Sequence, residues 1–261
     1  MNGNPSVTTK LPAIQVLGVK VNPLATSTLR HAIEELIISK AHALVLHVNI
    51  HGINLAFSEN WLRDYLNSAP VVFCDGAGVM LGAHLLGHHI PQRITYADWM
   101  WQLAEFCQEK EFTLYFLGAK PGIAEQAGAH LLQKFPNLKI VGIQHGYFDK
   151  TQSSSENEGI IKKINLVRPN ILLVGFGMPI QERWLMENWS HIEADVALTG
   201  GAVFDYISGE LQRAPDWMTD HGFEWLGRLI IEPRRLWKRY IIGNPLFLWR
   251  VFKQRLGLLK Y

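Results

Sequence analysis

One carboxylate stands where a strand is expected to end. Residues 71–74 are apolar and mostly strand formers, and they run directly into Asp75, Gly76 and a helix-like segment over 79–86. Ligands of open α/β sheets bind beyond the carboxyl ends of the strands, where a carboxylate can act as a general base. Asp is also a common helix N-cap residue. The sequence leaves both roles open for Asp75.

Glycine-rich turns follow three other predicted strands, at 118–122, at 175–177 and at Gly200-Gly201. Glycines allow backbone N–H groups to approach an anion, and the N-terminus of the next helix favours negative charge, so a phosphate-bearing ligand is expected. The chain has neither a G-x-G-x-x-G fingerprint nor a P-loop. A nicotinamide-dependent oxidoreductase is therefore a minor alternative, and a sugar nucleotide fits the pattern better.

The sequence offers few ligands for a divalent cation. It has no Asp-x-Asp pair, and the nearest approximation, 193–195, precedes a predicted strand. His84 and His88 are four residues apart on a predicted helix, but no third metal ligand accompanies them. We therefore expect no metal, and we expect Arg93 and Arg213 to stabilise phosphate charge instead.

These residues need a scaffold, and the chain alternates between strand and helix patterns throughout. Strands are predicted over 14–19, 43–48, 71–74, 113–117, 139–143, 171–174 and 196–198. The first predicted helix is capped by Thr26 or Ser27 and runs to about 40, and further helices are predicted over 51–67, 79–86, 98–110, 123–135, 155–167 and 181–189. Strand, glycine turn and helix recurring at this interval predict an α/β fold with a doubly wound, largely parallel sheet flanked by helices.

The last 40 residues differ from the rest in charge. Residues 222–261 contain nine Lys or Arg and two Glu, a net charge of +7, although the whole chain carries only +2. Aromatic and aliphatic residues separate the cations, which is typical of an element that binds an anionic membrane surface. The apolar share is too large for an arm that binds nucleic acid. An ordinary helical pair packed on the core is the alternative.

This contrast predicts a core over 1–221 and a basic helical appendage over 222–261. The apolar stretches of the appendage are interrupted and shorter than the roughly 20 residues that span a bilayer. Residues 1–9 are polar and lack the apolar core of a signal peptide. Two cysteines without metal-ligand spacing fit a reducing cytosol. We expect a cytoplasmic protein that associates peripherally with the inner face of the cell membrane.

Eight motifs occur in order and together resemble the WecG/TagA/CpsF glycosyltransferases, family 26. The resemblance covers about residues 15 to 240. The motifs are FCDGAG at 73–78, IPQRIT at 90–95, FLGAKP at 116–121, HGYF at 145–148, GFGMPIQE at 175–182, GGAVFD at 200–205, RAPDW at 213–217 and GFEWLGRL at 222–229.

The resemblance implies a Rossmann-like, inverting, metal-independent transferase. Such an enzyme moves a sugar from a UDP-sugar to a saccharide linked to undecaprenyl diphosphate, in cell-wall or exopolysaccharide synthesis. Members of the family often self-associate, and a basic C-terminal appendage docks on the membrane and completes the site.

The resemblance also implies roles for individual residues. Asp75 matches the proposed general base and Arg93 a substrate-site arginine. The predicted substrate-binding positions are His47, Asn49, Gly76, Gln181, Glu182, Gly200, Gly201, Asp205, Arg213, Arg228, Arg235 and Lys238. His47 stands where the family's Thr-x-Asn motif has threonine, a departure that bears on the hydrogen bond a threonine hydroxyl would make.

Two questions stay open at this point. A non-catalytic protein that binds nucleotide-sugars or lipids would share these motifs, with Asp75 as a helix cap and the appendage as an anchor. The donor sugar is also open among N-acetylmannosamine, its uronic acid and glucose, because specificity depends on a few pocket contacts.

Overall fold

The structure is a computed structural model that describes residues 11–259. The predicted absence of a signal peptide concerns residues 1–9, which lie outside the described residues. Lys260, one of the nine cations of the predicted appendage, lies outside them as well. The elements below are numbered in chain order.

Eight strands form a hairpin and a six-stranded sheet. The hairpin contains β1 (Ile14–Val16) and β2 (Val19–Val21), which pair antiparallel. The sheet is entirely parallel, in the order β4-β3-β8-β7-β5-β6. Its strands are β3 (Ala43–Val48), β4 (Val71–Cys74), β5 (Thr113–Gly118), β6 (Lys139–Gln144), β7 (Ile171–Gly175) and β8 (Val196–Thr199). The predicted α/β class and the parallel, Rossmann-like sheet are confirmed.

Helices cover both faces of this sheet. The first nine are α1 (Thr26–Ile38), α2 (Ile50–Ser58), α3 (Asn60–Ser68), α4 (Ala77–Leu85), α5 (Tyr96–Glu109), α6 (Ile123–Lys134), α7 (Ser155–Val167), α8 (Ile180–Asn188) and α9 (Val203–Ser208). Alternate strand residues point to opposite faces, so the core divides into two layers. Leu46 and Val72 pack in the layer of α2, α3 and α8, whereas Val45 and Phe73 pack in the layer of α1, α5 and α9.

Three local predictions are wrong. The single strand over 14–19 is the β1–β2 hairpin, because Leu17 and Gly18 adopt positive φ and reverse the chain. The single helix over 51–67 is two helices, because Glu59 has the extended backbone angles φ −112° and ψ 97°. Ala25, and not Thr26 or Ser27, is the N-cap residue of α1.

The C-terminal segment is helical and in close contact with the core. It contains α10 (Asp216–Asp220), α11 (Glu224–Ile231), α12 (Pro233–Trp237), a π-helical turn (Lys238–Ile242) and α13 (Gly243–Arg255). Phe247 and Val251 of α13 are fully buried, and a Cβ on Gly82 of α4 would lie 2.6 Å from the Phe247 ring. No helix within residues 11–259 is long and apolar enough to span a membrane. The division at residue 221 stays a prediction.

Candidate active site

The site lies where the chain leaves two neighbouring strands in opposite directions. From β3 the chain continues into α2 on one face of the sheet, and from β8 it continues into α9 on the other face. Such a divergence opens a crevice at the carboxyl ends of the strands. Two adjoining clefts occupy this edge, and we call them the Asp75 cleft and the Gly201 cleft.

The Asp75 cleft encloses about 550 Å³ between the end of β4 and the C-terminal segment. Its polar lining includes Asn49, His51, Asp75, Arg93, Tyr96, Tyr206, Glu224, Arg228, Arg239 and Tyr240. The backbone N–H of Asp75 donates to Val48 O at 2.8 Å, which extends the β3–β4 ladder and directs the carboxylate into the cleft. The N-cap residue of α4 is Gly76, at φ +104°, so Asp75 is not the helix cap.

Asp75 has the proton affinity that a general base near neutral pH requires. Burial raises its pKa from 3.8 to about 6. Arg239, Arg228 and Arg93 favour the carboxylate and oppose this shift, as does a hydrogen bond from the Asn49 side chain. Asp75 therefore remains a carboxylate at neutral pH and can still accept a proton there.

Arginines converge on Asp75 from three different elements. Arg93 precedes α5, and its Nη1 donates to Thr219 O of α10 at 2.7 Å and lies 3.6 Å from Glu224 Oε2. Arg228 lies on α11, and Arg239 lies on the π-helical turn. The Nε atoms of Arg228 and Arg239 are buried and have no hydrogen-bond partner among the described residues. Buried cationic donors without partners are suited to bind an anion.

The Gly201 cleft lies beyond the ends of β5, β7 and β8 and encloses about 860 Å³. Gly201, Asp205 and Arg235 line it, together with Lys120, Gly146, Tyr147, Phe148, Lys150 and Phe176. Gly201 has φ +58°, a conformation that favours glycine. Burial raises the pKa of Asp205, and Lys120 and Arg235 oppose that shift. Aromatic rings and cations lie together here, as a nucleotide requires.

His47 separates the two clefts. It is 3% exposed, and its Nε2 lies 3.8 Å from Asp75 Oδ2. Its Nδ1 lies 2.7 Å from the carbonyl oxygen of Thr199, the residue that precedes Gly200-Gly201. The predicted site residues of β3 and β4 are therefore brought together with the glycine turn after β8.

Gln181 and Glu182 are buried under the site and fully shielded from solvent. Gln181 Oε1 accepts from the backbone N–H of Gly177 at 3.2 Å and of Gly201 at 3.1 Å, and its Nε2 donates to Glu182 Oε1 at 2.9 Å. Gln181 thus holds the turns after β7 and β8 in register. Neither residue is among those that line the two clefts.

Neither Arg213 nor Lys238 is among the residues that line the two clefts. Arg213 makes a two-pronged ion pair with Asp98 of α5, with Nη2 at 2.6 Å from Oδ2. Lys238 is exposed, and its ammonium lies over the Trp237 ring. The Nε of Arg213 is buried and has no hydrogen-bond partner among the described residues. The substrate-binding roles of Arg213 and Lys238 stay predictions.

Sequence reasoning missed several residues that line the Asp75 cleft. Arg239 is the main omission, because the π-helical turn shifts the helix phase at Lys238 and no residue pattern announces that shift. Tyr96 was missed because it lies on the buried side of an amphipathic helix, and Tyr206 was missed because it is a half-buried residue that no local motif marks. The unpartnered hydroxyl of Tyr96 becomes apparent only in three dimensions.

The acidic and histidine side chains are dispersed. Among the side chains that the structure describes, no three His, Cys, Asp or Glu lie close enough to share a metal ion. His84 and His88 therefore lack a third ligand among those side chains. The cations nearest to Asp75 are arginines.

Known proteins resemble this chain over most of its length. The sequence profile of the glycosyl transferase WecG/TagA/CpsF family matches residues 14–261. An N-acetylglucosaminyldiphosphoundecaprenol N-acetyl-beta-D-mannosaminyltransferase of Staphylococcus aureus strain NCTC 8325 / PS 47 is 27% identical over 217 residues, which are 83% of this chain and 82% of that protein. The protein of the same description from strain MW2 is 26% identical over the same shares. The chain therefore belongs to the WecG/TagA/CpsF family of glycosyltransferases.

Proposed function

We propose that this glycosyltransferase moves a sugar from a UDP-sugar to an N-acetylglucosaminyl-diphosphoundecaprenol acceptor, with inversion, in cell-wall or exopolysaccharide synthesis. The observation that carries the proposal is Asp75, a carboxylate in a cleft surrounded by three arginines. The acceptor follows the names of the Staphylococcus aureus relatives.

Asp75 acts as the general base in this proposal. Its carboxylate takes the proton of the acceptor hydroxyl while that oxygen attacks the anomeric carbon from the face opposite the leaving diphosphate. A single displacement of this kind inverts the configuration. A pKa of about 6 keeps the base in its ionised form at neutral pH.

The donor nucleotide occupies the Gly201 cleft, and the acceptor occupies the Asp75 cleft. Phe148 and Phe176 provide apolar faces for a base, whereas Lys120, Lys150 and Arg235 provide charge for phosphates. The anomeric carbon then lies near Gly201, where the two clefts adjoin. Arg228 and Arg239, each with a buried unpartnered Nε, stabilise the negative charge that develops on the leaving diphosphate without a metal ion.

The C-terminal segment places the site at an anionic membrane surface, on the cytoplasmic side. Exposed apolar side chains alternate there with cations, and they include Ile230, Trp237, Ile241, Trp249, Phe252 and Leu258. Arg234, Arg235, Lys238 and Arg255 are exposed in the same segment. A surface of this composition binds anionic lipids through apolar burial and charge together.

A donor screen tests the proposal. Purified enzyme, a short-chain diphosphate-linked N-acetylglucosamine acceptor and a panel of UDP-sugars are incubated, and UDP release and the anomeric configuration of the product are measured. We expect release with one donor, dependence on the acceptor, and an inverted product. A retained configuration, or absence of acceptor-dependent release across the panel, contradicts the proposal.

A further inference from the structure

Both ring nitrogens of His47 face polar atoms of the protein. It is buried against the rings of Phe73 and Tyr96, with centroid distances of 6.0 and 5.3 Å. Its Nδ1 faces the Thr199 carbonyl at 2.7 Å, and its Nε2 faces Asp75 Oδ2 at 3.8 Å. The ring lies in the wall between the clefts and is not among the residues that line either one.

The Thr199 contact fixes the position of the ring proton. A carbonyl oxygen only accepts hydrogen bonds, so at 2.7 Å Nδ1 must carry the proton. Burial and the positive charge of Arg239 lower the pKa of His47 to about 4, so the ring is neutral near pH 7. Nε2 therefore presents a lone pair to Asp75.

This arrangement distinguishes the two protonation states of Asp75. The carboxylate and the Nε2 lone pair are both acceptors, so no hydrogen bond joins them while Asp75 is ionised. When Asp75 holds a proton, its O–H can donate to Nε2 after a side-chain rotation that closes the 3.8 Å separation by about 1 Å. The imidazole thus favours the protonated carboxyl over the carboxylate.

We infer that His47 is a positioning residue that accepts a hydrogen bond from Asp75 once Asp75 has taken the acceptor's proton. The inference rests on the proposed function, in which Asp75 is the base. The acceptor O–H bond breaks, and its electron pair forms the bond to the anomeric carbon. The donor C–O bond breaks with its electron pair on the diphosphate. The proton stays on Asp75, shared with Nε2, until water removes it.

The inference gives a role to the departure from the family's Thr-x-Asn motif. A threonine side chain is too short to reach Asp75 as the imidazole does, so this chain has an acceptor beside its base that the motif lacks. Other groups also act on Asp75, and any test must leave them unchanged. They are His51 of α2, Arg93, Tyr96 of α5, Tyr206 of α9, Glu224 and Arg228 of α11, and Arg239 of the π-helical turn, with Asn49 as a neutral donor.

His47→Phe tests the inference, because it keeps a ring packed against Phe73 and Tyr96 and removes both nitrogens. We expect kcat to fall about 10-fold, the loss of one hydrogen bond to the reacting base, with the KM values for donor and acceptor unchanged. The acid limb of the kcat profile should move to lower pH, since the protonated carboxyl loses its acceptor. Turnover is measured from pH 4.5 to 9.

Two further variants separate this effect from a structural one. His47→Gln supplies an amide oxygen as acceptor and an amide N–H for Thr199, so it should recover part of kcat and return the acid limb toward the wild-type position. If the Phe variant does not fold, His47→Thr takes its place, because a threonine side chain is too short to offer Asp75 an acceptor and should move the acid limb to lower pH as Phe does. His42→Phe is the matched control, because His42 also contacts a backbone carbonyl but stacks on Trp189 at the opposite end of β3.

Either of two outcomes overturns the inference. A raised KM with an unmoved acid limb in His47→Phe makes His47 a substrate contact. Unchanged kcat, KM and acid limb give it no role in turnover. If Asp75→Asn retains wild-type activity, Asp75 is not the base. That result is a separate failure of the proposed function.

Discussion

At the scale of single residues, the buried carboxyl of Glu182 makes the stability of the folded chain depend on pH. Glu182 is fully shielded from solvent, one of its oxygens accepts from Gln181, and the other has no partner among the described residues. Burial raises its pKa from 4.5 to about 7. Gln181 also accepts from the backbone N–H of Gly201. The buried carboxyl of Glu182, which lowers the stability of the folded chain when it is ionised, therefore lies directly beneath the site.

This shift predicts a pH-dependent stability. Between pH 4.5 and 7 the folded chain binds a proton at Glu182 that the unfolded chain has lost, so stability falls as pH rises through this range. Glu182→Gln has no carboxyl to ionise, so its stability should not fall in this way. We expect the variant to be about 1–3 kcal/mol more stable than wild type at pH 8 and about equal at pH 4.5.

Urea denaturation at the two pH values measures the difference. Glu158→Gln, at an exposed position of α7, is the control and should match wild type at both. A Glu182→Gln variant no more stable than wild type at pH 8 would show that the folded chain ionises this carboxyl without cost.

Single residues also show how far the sequence alone could define the site. Asp75, Asn49 and Arg93 line one cleft. The position of Asp75 could be predicted because an apolar strand followed by a carboxylate has one place in a parallel sheet. Gln181 instead accepts hydrogen bonds from the turns after β7 and β8, and these contacts depend on the pairing of the two strands. Pairing between distant segments is not encoded in any local motif.

At the scale of elements, the π-helical turn decides which cation reaches the site. Lys238 is the position suggested by sequence resemblance, yet it is exposed, whereas Arg239 lines the Asp75 cleft. An i→i+5 turn inserts one residue into the helix and rotates every later side chain. The strands and most helices were predictable because their hydrophobic period is regular, and this turn was not because it breaks the period.

The turn predicts unequal effects for two adjacent cations. Arg239→Ala should lower kcat by about 10²–10³, the usual effect of removing a donor to a developing oxyanion. Lys238→Ala should change kcat by less than about threefold, as exposed substitutions do. The two variants are compared by their steady-state rates of UDP release at saturating donor concentration. Equal losses, or a larger loss in Lys238→Ala, would mean that Lys238 replaces Arg239 when substrate is bound.

At the scale of the whole molecule, the sheet edge and the basic segment together build the site. Arg93, from the sheet side, contacts Thr219 and Glu224 of the C-terminal segment, and Phe247 packs that segment's last helix into the core. The Asp75 cleft therefore forms only when these two parts of the chain are packed together. In the proposed function, a membrane bound to the exposed side of the segment would also bring the lipid-linked acceptor to the cleft.

Membrane docking predicts a defined lipid dependence. The enzyme should cosediment with vesicles that contain phosphatidylglycerol and dissociate as salt screens the charges. Replacing Trp249 and Phe252, which are 54% and 52% exposed, with Ser should weaken binding at least about 10-fold, because each side chain buries apolar area in the bilayer. Leu166→Ser, on the 85% exposed Leu166 of α7, is the control and should bind as wild type does. Equal binding by all three proteins would contradict docking through this segment.

The most direct test of the central claim is the rate of UDP release by wild type and by Asp75→Asn, with the accepted UDP-sugar, the lipid-diphosphate acceptor and EDTA at pH 8. Asn keeps the shape of the side chain and removes the base. The account predicts wild-type turnover that EDTA leaves intact and a rate about 10²–10⁴ lower in Asp75→Asn. The melting temperature of the variant should be no lower than that of wild type, because burial disfavours the Asp75 carboxylate at pH 8. Equal rates in the two proteins, or complete loss of wild-type turnover in EDTA, would contradict it.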